Sequence, residues 1–245
     1  GLLMAWNGAL LSMGEVFHNN IWWSRVFASR QSVVMPSFVL GGLAWMSVPL
    51  VTGSIGLVAL ARNLELEQVN MVFPVMAADL LGAGGAALVF VVVFASLTST
   101  LDSLLASTAD LLAEDVFLGL IKPSATDAQL KQATQWIVIG LAALTLALCW
   151  PRIDSLRSVL FFTGALVAST IWPVACGLYW SAANRHGAIA AMVAGSASGI
   201  TAYVLIADYS AAIFSAAVSA AVMAGWSLLK PESYAWTQLN EEVTT

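Results

Sequence analysis

Long uncharged stretches dominate the 245-residue chain and limit what it can fold into. Six stretches contain no Asp, Glu, Lys or Arg, and a helix needs about 20 apolar residues to cross the hydrocarbon core of a bilayer. They lie at 31–61, 80–101, 132–151, 158–184, 187–207 and 209–229. Because a segment in lipid must satisfy its own backbone hydrogen bonds, this pattern predicts an all-α bundle of membrane-spanning helices.

The composition excludes a water-soluble protein. Charged residues make up 9% of the chain and apolar residues 60%, whereas about a quarter of an ordinary soluble protein is charged. The net charge of −5 argues against a nucleic-acid partner. Cys149 and Cys176 lie within apolar runs, where we expect them to behave as small hydrophobic residues and not as a disulfide pair. The lipid bilayer is therefore the expected environment.

The first fourteen residues are uncharged but too short to span a bilayer. They carry no initiator Met, basic region or cleavage-site pattern, so we do not interpret them as a signal peptide. We expect the chain to begin partway through a helix and to belong to a longer polytopic protein. Residues 1–245 are then predicted to form a single transmembrane domain of seven segments, the first of them truncated.

The distribution of basic residues predicts the orientation, because Lys and Arg accumulate in cytoplasmic loops. With seven segments, six basic residues fall on one side of the membrane and three on the other. The first set is Arg25, Arg30, Lys122, Lys131, Arg185 and Lys230, and the second is Arg62, Arg152 and Arg157. This bias places the C-terminus in the cytoplasm.

The segment from Gly82 to Phe117 carries a polar stripe. At about 100° per residue, seven polar residues fall within a wedge of roughly 100° and extend over about 27 Å. These are Ser96, Ser99, Thr100, Ser103, Ser107, Asp110 and Glu114. Such a stripe must face protein or water and not lipid.

Neutral oxygens along this stripe suit a hard monovalent cation. The hydroxyls of Ser99 and Thr100, with a carbonyl near Ser96, would supply two or three of about five sodium ligands. The alternative is that the Ser and Thr side chains bond back to the carbonyl of residue i−4 or connect neighbouring helices.

Asp102 lies about 120° away from the stripe. An ionisable residue in a membrane segment is a functional candidate, so Asp102 with Ser103 is a candidate second ion or coupling site. The alternatives are that Asp102 lies on a water-accessible face or pairs with an Arg of a neighbouring segment. Asp110, Glu114 and Asp115 lie near the predicted cytoplasmic end, where we expect them to be solvated.

Three motifs resemble the sodium:solute symporter family, which includes proline, sugar, pantothenate and urea carriers. FASLTSTLDSLLASTADLLAEDVF, from Phe94 to Phe117, is similar to the signature helix of that family. PVACGLYWSAANRHGAIAAMVAG, from Pro173 to Gly195, resembles its helix–loop–helix segment. EVFHNNIWWSRVFASR, from Glu15 to Arg30, is similar to its sixth core helix and the exit from it. The motifs occur in the family's order and, with the helices between them, cover nearly the whole chain.

The resemblance implies the inverted-repeat fold shared with the leucine transporter, built from two five-helix halves. The chain would then hold core helices six to ten and two peripheral helices, and its partner would be the N-terminal half of the same carrier. The implied sodium ligands are the Ser96 carbonyl and the Ser99 and Thr100 hydroxyls. The family's first-helix ligands have no counterpart in this chain.

The same resemblance makes the first helix a solute-side helix that unwinds in its middle. Gly14 is the expected unwound point, because glycine gives the backbone freedom there. Ser12, Glu15, Phe17 and His18 become substrate or gate candidates, the alternative for Glu15 and His18 being a polar helix exit. Trp22 and Trp23 are expected at the membrane interface. Paired Trp residues before Ser-Arg, and KPESYAWTQL from Lys230 to Leu239, resemble the urea-carrier branch.

The expected function is secondary active symport of sodium with a small polar organic solute, urea-like or proline-like, in the plasma (inner) membrane. Neither an enzyme nor a cofactor is expected, since the two His residues lie at segment ends and no His/Cys/carboxylate cluster is visible. The alternatives are a solute-sensing membrane module and a passive channel. Small residues at Gly82–Gly85 and Gly195–Gly199 are expected to pack helices closely.

Overall fold

A computed structural model describes residues 1–64, 71–150 and 156–232 of the chain. In these ranges the chain is helical and contains no strand. The α-helices are α1 (Leu2–His18), α2 (Asn20–Phe27), α3 (Gln31–Trp45), α4 (Ser47–Ala61), α5 (Val72–Leu111), α6 (Asp127–Cys149), α7 (Leu156–Val167), α8 (Ile171–Tyr179), α9 (Arg185–Leu205) and α10 (Ala211–Leu229). A π-helix, Leu112–Ile121, continues α5, and 3₁₀ segments at Ala168–Thr170 and Asp208–Ser210 precede α8 and α10.

Six helical segments among the described residues are long and apolar enough to cross a membrane, which confirms the prediction of an all-α, multi-pass membrane protein. They are Gln31–Ala61, Val72–Ile121, Asp127–Cys149, Arg157–Tyr179, Arg185–Leu205 and Asp208–Leu229. Each matches one predicted stretch. The helical segment at Val72–Ile121 is much longer than the predicted 80–101, because helical geometry continues through charged residues on both sides. The first helix, α1, has 17 residues.

The chain divides into two compact units. The terminal unit comprises Gly1–Trp22 and Arg152–Thr245, and the middle unit comprises Trp23–Pro151.

The core of the terminal unit is the antiparallel pair α9 and α10, against which α7, α8 and α1 pack. One face of α9 is built from small buried residues, Gly187, Ala191, Gly195, Gly199 and Ala202. A Cβ atom on Gly195 would lie 2.9 Å from the Cβ atoms of Ser169 and Ser219. This contact confirms that the glycines of 195–199 allow close helix packing.

Asn184 fixes the boundary between α8 and α9. Its Oδ1 accepts hydrogen bonds from the backbone N–H groups of His186 and Gly187, at 2.8 and 3.1 Å, so it caps the first turn of α9. Its Nδ2 donates to the Lys230 carbonyl, at 3.0 Å, which ties this turn to the end of α10. The cap explains why α9 begins at Arg185, whereas the charge pattern suggested that Arg185 and His186 separate the two spans.

In the middle unit, α3 and α4 follow one another almost without interruption, and α5 runs for 40 residues. Gly82 has φ +65° and ψ −157° and kinks α5, a conformation that side chains with a Cβ rarely adopt. In the described part of the chain, a Cβ on Gly82 would meet no atom of another element within 4 Å, so the predicted packing role is wrong for this glycine. Arg62, at the end of α4, pairs with Asp79 of α5 at 2.6 Å.

Candidate ion site and solute-side helix

The predicted sodium ligands lie on the uninterrupted α-helical part of α5, between Gly82 and Leu111. The Thr100 hydroxyl donates to the Ser96 carbonyl at 3.0 Å, and the Ser103 hydroxyl donates to the Ser99 carbonyl at 3.0 Å. Two of the stripe hydroxyls therefore make the i−4 backbone bonds that the sequence left as the alternative. These bonds hold both side chains along the helix, one turn apart.

The backbone bonds leave capacity for an ion. A hydroxyl that donates its proton keeps two lone pairs. The Ser96 carbonyl, in contrast, accepts two hydrogen bonds, one from the Thr100 hydroxyl and one from the Thr100 backbone N–H of the continuous α-helix. The Ser96 carbonyl and the Thr100 hydroxyl thus place two neutral oxygens 3.0 Å apart on an exposed face of α5. Within the described ranges, the exposed Ser99 hydroxyl makes no hydrogen bond. The Ser99 and Thr100 hydroxyls therefore keep lone pairs for an ion, whereas the Ser96 carbonyl would bind one only by sharing a lone pair that a helix bond uses.

Asp102 is exposed and Ser103 is half-buried. Among residues 1–64, 71–150 and 156–232, Asp102 forms no ion pair, so no Arg of these ranges neutralises it. A second ion or coupling role for this pair of residues stays a prediction.

The C-terminal end of the stripe, beyond Leu111, departs from α-helical geometry. From Leu112 the backbone forms i→i+5 bonds, and such π-helical turns are rare and occur often at functional sites. The change shifts Glu114 away from its position on an ideal α-helix. Asp110 and Glu114 nonetheless line one open cleft of about 300 Å³, together with Asp127 and Lys131 of α6. Asp115 is exposed, as expected for a solvated carboxylate.

Gly14 is not an unwound point, so that prediction is wrong. The helix α1 is continuous from Leu2 to His18. A Cβ on Gly14 would lie 2.6 Å from the backbone C and O atoms of Val167, so the glycine allows close approach of two chains. The interruption occurs instead at Asn19, whose backbone is extended and whose Oδ1 accepts a bond from the Ile21 N–H at 3.0 Å.

The predicted substrate or gate residues divide between two environments. Ser12, Glu15 and His18 are exposed on α1. Phe17 is half-buried and packs against the apolar cluster of Leu11, Ala168, Ile171, Ala212 and Ala216. Ser12 and Glu15 are therefore not enclosed by the described part of the chain, whereas Phe17 helps to hold α1 in place.

Sequence reasoning missed Asn7, which is fully buried in α1. Its Oδ1 accepts a hydrogen bond at 2.9 Å from the backbone N–H of Ala212, in the first turn of α10. Those first N–H groups lack partners within their own helix, so Asn7 caps α10 from another helix. An amide side chain in an uncharged stretch indicates a buried hydrogen bond. Its partner, however, is 205 residues away and is visible only in the fold.

Residues 12–195 match the sodium:solute symporter family. Because this match covers well over half of the chain, and the helices it spans are those described above, the chain belongs to the sodium:solute symporter family. The prediction from the three motifs is confirmed.

Several curated transporters are similar to the chain. The urea-proton symporter DUR3 of Oryza sativa subsp. japonica is 29% identical over 260 residues, covering 96% of the chain and 36% of that protein. The probable urea active transporter 1 of Schizosaccharomyces pombe is 26% identical, covering 80% of the chain and 32% of that protein. The sodium/pantothenate symporter of Escherichia coli K12 is 33% identical over 105 residues, covering 41% of the chain and 21% of that protein. The chain thus spans about a third of the length of the rice and fission-yeast relatives.

No solved structure showed a significant match to the chain. The family and the relatives are transporters and not enzymes, in agreement with the sequence prediction. The presence of urea transporters among them is consistent with the urea-carrier branch. Most of the KPESYAWTQL motif lies outside the described residues.

Proposed function

We propose that the chain is part of a sodium-coupled symporter that imports a small polar organic solute of the urea or proline type by alternating access. The observation that carries the proposal is the neutral-oxygen stripe on α5 within a chain that belongs to a symporter family. A sodium ion bound to one conformation more tightly than to the other would shift the population toward that conformation and raise its affinity for solute.

The Ser96 carbonyl and the Ser99 and Thr100 hydroxyls are the proposed sodium ligands of this chain. Sodium is a hard cation that accepts neutral oxygen ligands, and a site without a carboxylate avoids placing a full negative charge at membrane depth. The other ligands would come from the rest of the carrier, which is therefore the proposed partner.

Urea is the first solute to test, because relatives that align with most of the chain are named urea transporters. The Glu15 carboxylate and the Ser12 hydroxyl lie exposed on α1, and both accept hydrogen bonds from N–H donors. The six-to-three bias of basic residues supports a cytoplasmic C-terminus. The plasma (inner) membrane is the proposed location.

Proton coupling is the second candidate. The rice relative is named a urea-proton symporter, and Asp102 is an exposed carboxylate of α5 that no Arg neutralises in the described part of the chain. In this case protonation of a carboxylate would replace the binding of sodium as the coupling event.

The test is uptake of labelled urea by the full-length carrier in vesicles, with unlabelled proline, sugars and carboxylates as competitors. We expect an imposed sodium gradient to drive accumulation and choline in place of sodium to abolish it. Accumulation driven by a pH gradient without sodium would refute sodium coupling. Equilibration without accumulation under either gradient would indicate a channel and refute symport.

A further inference from the structure

The candidate span Arg157–Tyr179 is interrupted in its middle. The helix α7 ends at Val167, and the 3₁₀ segment Ala168–Thr170 connects it to α8. Pro173 lies in the first turn of α8 and has no N–H, so the α-helical bond to the carbonyl of Ser169 cannot form. Ser169 is 1% exposed, and a buried carbonyl without a donor is unfavourable.

Two serine residues of α10 supply donors at this interruption. The Ser219 hydroxyl donates to the Ser169 carbonyl at 2.7 Å, and the Ser215 hydroxyl, one turn earlier, donates to the Ala165 carbonyl at 2.7 Å. Both serine side chains are fully buried. In addition, Ser196 of α9 donates to the Ser169 hydroxyl at 3.0 Å.

The proposed solute-side helix α1 packs against the same 3₁₀ segment, Ala168–Thr170, and the end of α7. Gly14 faces the backbone of Val167 and Ala168, where even a methyl group would approach to 2.6 Å. Leu11 belongs to the same apolar cluster as Ala168, and Phe17 packs against that cluster. The 3₁₀ segment therefore forms part of the surface on which α1 packs, together with α7 and α10.

We infer that Ser215 and Ser219 are positioning residues for transport, because they hold the interrupted span in the conformation on which α1 rests. This inference rests on the proposed function, in which α1 carries the solute contacts Ser12 and Glu15. Serine suits the role because it donates without charge and fits against glycine. Cβ atoms on Gly195 and Gly199 would lie 2.9 and 2.8 Å from the Cβ atoms of Ser219 and Ser215.

The experiment compares Ser219→Ala, Pro173→Ala and the double variant in the full-length carrier, with Ser227→Ala as the matched control. Ser227 is also fully buried on α10, but its hydroxyl has no hydrogen-bond partner in the described part of the chain. At equal amounts of inserted protein, we expect Ser219→Ala to raise the urea concentration for half-maximal uptake about tenfold, as expected for one lost buried hydrogen bond. Ser227→Ala should leave it within about twofold.

Pro173→Ala restores an N–H group that can donate to the Ser169 carbonyl. We therefore expect Ser219→Ala to have little effect in the Pro173→Ala background, a rescue that a general loss of packing would not show. An unchanged half-maximal concentration in Ser219→Ala, or no rescue by Pro173→Ala, would overturn the inference.

Hydrogen–deuterium exchange on the purified carrier separates this inference from the proposed function. If wild type takes up no solute, the proposed function fails, but the exchange result still decides the positioning role. Faster exchange in both 166–172 and 10–17 for Ser219→Ala, and not for Ser227→Ala, supports it. Unchanged exchange in 10–17 refutes it.

Discussion

Replacing Gly14 by alanine should loosen the contact between α1 and the interrupted span. The added Cβ would lie 2.6 Å from the Val167 C and O atoms and 2.7 Å from the Ala168 N atom. Unbonded carbons rest about 3.5–4.0 Å apart, so α1 has to move away by about 1 Å. All three contacted atoms belong to the backbone, so no side-chain rotation relieves the clash.

The net effect is destabilising. Overpacking of this kind costs about 1–3 kcal/mol, and the higher helix propensity of alanine returns roughly 0.5–1 kcal/mol. The difference is roughly 0–2.5 kcal/mol, and because no side chain can rotate away we expect the upper part of this range, a fall of about 1–2.5 kcal/mol in the free energy of unfolding of the full-length carrier.

Gly8→Ala is the matched control, because Gly8 lies on the same helix and a Cβ there meets no atom of another described element within 4 Å. Thermal unfolding followed by tryptophan fluorescence should show a lower midpoint for Gly14→Ala and an unchanged or higher midpoint for Gly8→Ala. Equal shifts in the two variants would refute the packing of Gly14 against Val167.

Two further substitutions test the contacts that hold the helices together. Asn184→Ala removes the cap of α9 and the bond to the Lys230 carbonyl, so we expect the free energy of unfolding to fall by about 1–2 kcal/mol. Thr126→Ala removes the exposed cap of α6, and we expect it to lower the free energy of unfolding by less. Equal losses in chemical denaturation would contradict the role given to Asn184. Asp79→Asn removes the ion pair with Arg62. The Asp79 side chain is 49% exposed and the Arg62 side chain 47%, so the free energy of unfolding should change by less than about 1 kcal/mol. A larger loss in the same assay would show that solvent screens this pair less than its exposure indicates.

The number and type of helices could be predicted from sequence because each span leaves a long run without charge. Helix ends could not be predicted as well, since caps decide them. Asn184 starts α9 by binding two N–H groups and a distant carbonyl, and only the fold brings the Lys230 carbonyl within reach.

The stripe was predictable as far as Asp110, where α5 keeps its regular period. Beyond Leu111 the π-helix changes the angle per residue, and no residue pattern in 112–121 signalled that change. The pairing of Thr100 with the Ser96 carbonyl follows directly from their i, i+4 spacing.

Gly14 shows why a single glycine is ambiguous in sequence. Glycine serves either an unusual backbone conformation or a close approach of two backbones, and only the position of Val167 distinguishes them. Ser219 and Pro173 are equally ambiguous when each is considered alone in the sequence. Only the fold shows that the Ser219 hydroxyl donates to the Ser169 carbonyl, which Pro173 leaves without its helical N–H donor.

The most direct test of sodium coupling through α5 is the sodium dependence of urea uptake by Ser99→Ala/Thr100→Ala in the full-length carrier. Thr98→Ala is the control, because Thr98 also bonds back to a carbonyl, that of Phe94, but lies about 200° around α5 from Ser96. We expect the double variant to raise the sodium concentration for half-maximal uptake about tenfold or more, equivalent to about 1.4 kcal/mol, and Thr98→Ala to leave it unchanged. An unchanged sodium dependence in the double variant would contradict the assignment of the site.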